Sequence, residues 1–146
     1  MPPYPSDENM SLLENIGVST ENAQHGGSCE SIQEGLKYGD GDVHRYILKL
    51  HGREFADAWR IAGNFFCVEI CPSKLNESEW SIDDEKVEKY VSFIKAGSPV
   101  PAVVVDYHGS FIDGGHRHAA ALLAACPKIR VLVQIENEQD TDCADD

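Results

Sequence analysis

Phe111-Ile112-Asp113-Gly114-Gly115-His116-Arg117-His118-Ala119-Ala120-Ala121-Leu122 is the stretch on which the fold turns. Phe111 and Ile112 are β-prone, and the glycine pair allows a turn that no side chain obstructs. An Ala- and Leu-rich run from His116 to Ala125 then predicts a helix that stops before Pro127. The order is strand, turn, helix. The first N–H groups of such a helix lack intrahelical acceptors and the dipole makes that end positive, so it favours an anion. Arg117 offers a forked grip on phosphate oxygens and His116 a proton donor.

Outward from this stretch, Pro99-Val-Pro-Ala-Val-Val-Val-Asp106 reads as a buried strand, joined to Phe111 by a tight turn over residues 107–110. Residues 129–135 supply a last strand. Further upstream, Ser81 and Asp84 form a capping box ahead of an apolar stripe of Val87, Tyr90, Val91 and Ile94, which Gly97 closes. Phe65 to Ile70 is a short strand stopped at Cys71 by Pro72. From Val43 to Ala62 apolar residues recur at three- and four-residue steps, which predicts a helix, or two broken at Gly52. Residues 1–42 are rich in Gly, Ser, Asn and acids and read as irregular, with at most one helical turn around Ser11 to Ile16. The expectation is one small α/β (α+β) domain over residues 43–135, with a mixed sheet and flanking helices.

The chain has 146 residues, with 12 Lys+Arg against 25 Asp+Glu and a formal charge of -13. Such a balance disfavours a broad DNA-binding face, because DNA affinity comes largely from cations that displace counterions. The charge is uneven. Setting aside the six acids of residues 136–146 leaves -7 for the rest, so a local cationic site near His116, Arg117 and His118 survives. The acidic tail itself is of the kind that stays solvated or docks on a basic partner. The five cysteines include no C-x-x-C pair, which points to reduced thiols and not to a disulfide framework or a common zinc site. Cys67 and Cys71 read as half-buried core residues. No run of about 18 apolar residues occurs, and the first residues are prolines and acids, so neither a membrane span nor a signal peptide is expected and the location predicted is cytoplasmic.

Ile112-Asp-Gly-Gly-His-Arg-His-Ala-Ala-Ala121, preceded by Pro101-Ala-Val-Val-Val-Asp106, resembles the ParB/sulfiredoxin superfamily of nucleotide-binding domains. The likeness spans residues 67–135, about half of the chain. It implies that Gly114, Gly115, His116 and Arg117 cradle the phosphates of ATP or a related triphosphate, and that Lys86 clamps them from the preceding helix. Gly115 stands where sulfiredoxins carry their catalytic cysteine, so sulfiredoxin chemistry is not expected. Partition ParB proteins have Glu and Arg in place of Gly115 and His116 and continue into a helix-turn-helix domain, so a clamp on a specific DNA site is not expected. A short ParB-like nuclease is the DNA-directed alternative, and a plasmid or phage accessory interaction protein a third. Free-serine kinases resemble the box too. That branch implies a glutamate base after the first strand, Glu69, Glu77 or Glu79 here, with Glu77 preferred. The implied set for NTP hydrolysis or phosphotransfer is Glu77, Asp113 and His116 as catalytic groups, with Asp113 holding or orienting Mg²⁺.

Overall fold

In the computed structural model the strand Phe65–Ile70 decides how the layers stack, because both of its faces are covered. Phe66, Val68 and Ile70 join one cluster with Val103, Val105, Val131 and Val133. Phe65 and Cys67 point the other way and join Tyr38, Val43, Ile47, Val104 and Leu132. Alternation at period two thus feeds two cores, one on each side of a sheet. The structure describes residues 12–21, 23–26, 32–52, 61, 63–75, 82–98 and 100–135.

In chain order the elements are α1 (Leu12–Asn15), β1 (Gln24–His25), β2 (Leu36–Tyr38), α2 (Asp40–His51), β3 (Phe65–Ile70), a 3-10 turn (Pro72–Lys74), α3 (Asp84–Lys95), β4 (Val103–Val105), β5 (Phe111–Asp113), α4 (Gly115–Leu123) and β6 (Ile129–Gln134). The six strands form one sheet in the order β1-β2-β3-β6-β4-β5. Pairing is mixed: β1 with β2 and β4 with β6 are parallel, and the other neighbours are antiparallel. The fold is α+β, as the sequence predicts. Among the described residues no helix is long and apolar enough to cross a membrane.

Several expectations need correction. Residues before 43 are not simply irregular: β1 and β2 extend the sheet, and Leu12, Leu13, Ile32 and Tyr38 are buried in the cores. Strands of two and three residues are too short to show a hydrophobic period, so only tertiary packing reveals them. α2 ends at His51 and is capped by Gly52, whose φ of 93° suits glycine; residues 53–60 and 62, most of the expected second half, lie outside the described residues. The cap of α3 is Asp83, whose side chain accepts from the Glu85 N–H at 2.9 Å. Ser81 lies outside the described residues. β4 is only three residues long, shorter than the eight-residue strand expected. Cys67 is fully buried, and burial pushes its thiol up to about 12. Cys71 is exposed, past the end of β3, and its hydrogen bond with Ser73 lowers its pKa. The tail at residues 136–146 lies outside the described residues.

Candidate active site

Gly114 sets the geometry of the site. It is the N-cap of α4 with φ of 113°, a left-handed conformation, and makes no side-chain capping bond. A Cβ here would lie 2.9 Å from Val103 Cγ2. Glycine is required twice over, by its dihedral and by the approach of β4. The α4 start is therefore pressed against the sheet, with Gly115 and His116 half-exposed at its mouth.

His116 Nε2 accepts a hydrogen bond from the Asp83 backbone N–H at 3.0 Å, which joins the start of α4 to the start of α3. Since Nε2 is the acceptor, the neutral ring carries its proton on Nδ1. Lys86 stands exposed in the first turn of α3, the helix that Asp83 caps. His116 thus joins the starts of α3 and α4, and Lys86 stands on the first turn of the helix that it meets. Asp84 and Glu85 stand exposed beside them and make the neighbourhood acidic as well.

Arg117 behaves differently from the expectation. Only 3% exposed, it turns under α4, donating from Nη1 to the Ala102 carbonyl at 2.9 Å and from Nη2 to Asp113 Oδ2. Tyr46 of α2 donates to the same Ala102 oxygen at 2.9 Å, and burial pushes its hydroxyl up to about 12. Asp113 is 6% exposed and uses its second oxygen, Oδ1, to accept from His51 Nε2 at 2.8 Å. Both of its oxygens are engaged, so it does not fit the role of a Mg²⁺ ligand. Among the described residues no group of three His, Cys, Asp or Glu side chains is arranged to hold a metal, and no buried side-chain nitrogen or oxygen lacks a partner. Arg117 and Asp113 hold α2, β4, β5 and α4 together, and do not face an anion at the mouth of α4.

His118 is also structural. Its Nε2–H donates to the Pro72 carbonyl at 2.7 Å, and its ring packs on Phe111 with centroids 5.0 Å apart. Glu77 and Glu79 lie outside the described residues. Glu69 is exposed on β3, across the strand pair from Arg130. Sequence reading missed His51 and Tyr46. Each sits on α2, distant in sequence from the residues it meets, and α2 showed only an amphipathic stripe; no local spacing marks such a contact.

With the geometry in view, comparisons add little. No protein-family model matches the chain, and no curated protein matches it. Two solved chains do match. One is a Pnob8-like ParB-N domain, in its C2221 form. It shares 18% identity at a TM-score of 0.38, over 55% of this chain and 34% of that one. The chain thus spans about a third of the length of that ParB-N structure. The α+β assignment rests on the mixed sheet itself.

Proposed function

We propose that the chain binds the phosphates of a nucleoside triphosphate at the N-terminus of α4. The observation that carries this reading is the convergence of the α3 and α4 starts, joined through His116 and Asp83, beneath an N-cap glycine that supplies no side-chain acceptor. Phosphate oxygens would accept from the first N–H groups of α4 and from His116 Nδ1–H, while Lys86 reaches the outer phosphates. The carboxylates of Asp84 and Glu85 favour a nucleotide that arrives as its Mg²⁺ complex, part of its charge already neutralised. Arg117 acts through position: it fixes Asp113, which orients His51. A small anion is preferred over DNA because acids outnumber bases by 25 to 12.

The test is a titration with fluorescent ATP and GTP analogues in the presence of Mg²⁺. Saturable binding by the wild type is expected, weakened about fivefold in His116→Ala and in Lys86→Ala, one hydrogen bond or charge contact each. Arg117→Ala is a poor probe, since it leaves the Asp113 charge buried without its partner. Absence of saturable binding to either nucleotide overturns the proposal.

A further inference from the structure

The bond that joins α3 to α4 depends on the charge of one ring. His116 Nε2 accepts from the Asp83 backbone N–H at 3.0 Å, and an imidazole nitrogen accepts only while it carries no proton. Once protonated, the ring has donors at both nitrogens, and its Nε2–H would point at the Asp83 N–H. Two donors head to head repel. The bond therefore belongs to the neutral ring alone.

The surroundings decide where a charged ring would go. Among the described residues the charged groups of the α3 start are Asp83, Asp84, Glu85 and Lys86, all exposed. Three carboxylates against one ammonium offer a cationic ring new acceptors within the same turn. Its own helix offers none, because Arg117 turns beneath α4 to Asp113 and the Ala102 carbonyl, and His118 to the Pro72 carbonyl. Asp113 of β5 is buried and taken up by Arg117 and His51. The 3-10 turn that packs on α4 brings one exposed cation, Lys74. Val87, one turn along α3 from Asp83, is buried. A change at Asp83 is thus confined to the first turn of α3, the turn that carries Lys86.

We propose that His116 is an acid-sensitive latch: protonation releases the Asp83 N–H, turns the ring toward the carboxylates of α3 and frees the first turn of that helix from the start of α4. The latch goes beyond the phosphate reading and stands without it, since it operates in the chain with no ligand bound. The experiment is a titration of the ligand-free, isotope-labelled full chain from about pH 8 to about pH 5.5, the interval in which imidazoles change charge and ordinary carboxylates do not, followed by NMR. The Asp83 amide proton is expected to move upfield with the midpoint of the His116 ring nitrogens. Its protection factor, corrected for the intrinsic pH dependence of exchange, is expected to fall about fivefold, the worth of one hydrogen bond. His116→Gln supplies an acceptor oxygen that does not titrate, and is expected to hold the Asp83 amide unchanged across the interval. His116→Phe, which has no acceptor, is expected to show the acid position at every pH. A His116 ring that keeps one charge state throughout, an Asp83 amide that ignores the ring's titration, or an equal response in His116→Gln overturns the proposal.

Discussion

At Arg117 and Gly114 the residue type is dictated by what lies beneath the helix. Arg117 and Asp113 are 3% and 6% exposed and bonded to each other, so removing one leaves the other's charge buried and alone. Arg117→Ala is expected to lower unfolding free energy by about 3–5 kcal/mol in urea denaturation. Replacing both by apolar residues of similar volume, Arg117→Met with Asp113→Leu, is expected to recover much of that loss, because no uncompensated charge remains. Gly114→Ala meets Val103 at 2.9 Å in a dihedral that alanine avoids, and is expected to cost about 2–4 kcal/mol from strain and overpacking together. The thiols differ as sharply. Cys71, exposed and with its pKa lowered by Ser73, is expected to alkylate in native buffer, while Cys67, pushed up to about 12 and buried, stays unmodified; site-resolved mass spectrometry reads both.

Two helices close with the same motif on different residues. In α3 the Ser98 N–H returns to the Phe93 carbonyl at 2.9 Å and the Gly97 N–H to Ile94 at 3.0 Å, with Gly97 at φ 79°. In α4 the Cys126 N–H returns to Ala121 at 2.9 Å and the Ala125 N–H to Leu122 at 3.2 Å, but the left-handed position, φ 53°, is held by Ala125. Alanine there bears a cost that glycine does not. Ala125→Gly is therefore expected to raise stability by about 1 kcal/mol, read as a higher urea midpoint at unchanged slope. Signals of this kind explain what was legible. Gly97, the Val87 stripe, the β-prone run from Phe65 ahead of Pro72 and the glycine pair are local patterns, and α3, β3 and the start of α4 follow from them. The direction of Arg117 is not local: a guanidinium in a helix's first turn serves an anion outside as readily as a carbonyl beneath, and only the position of Ala102, just ahead of β4, decides. Likewise β1 and β2 are too short to carry a pattern, and whether Cys71, on the exit that Pro72 marks, faces the core or solvent is set by the turn that follows β3 and not by the strand.

For the whole molecule, the core under α2 contains acids held neutral by burial, and this makes stability depend on alkaline pH. Cys67, in the core under α2, has its pKa raised from 9.0 to about 12, and Tyr46, on α2 itself, from 10.0 to about 12, with desolvation the largest cause in each. Between those values the native state keeps a proton that the unfolded chain has lost. More protons on the native state mean that unfolding free energy falls as pH rises. The fall is expected to begin above pH 9, to steepen above pH 10 when tyrosine joins, and to level off near pH 12. Urea denaturation from pH 7 to 11.5 measures it. Tyr46→Phe removes the later part of the decline and Cys67→Ala the earlier part, although each lowers the plateau near neutral pH, Tyr46→Phe by losing the bond to Ala102 and Cys67→Ala by opening a small cavity. Parallel curves for wild type and both variants would mean that neither group is held neutral. Because Tyr46 and Arg117 share the Ala102 carbonyl, alkaline loss of the tyrosine proton is expected to loosen α4 first, detectable as faster amide exchange at His118, whose N–H is bonded to the Gly114 carbonyl, than in β3.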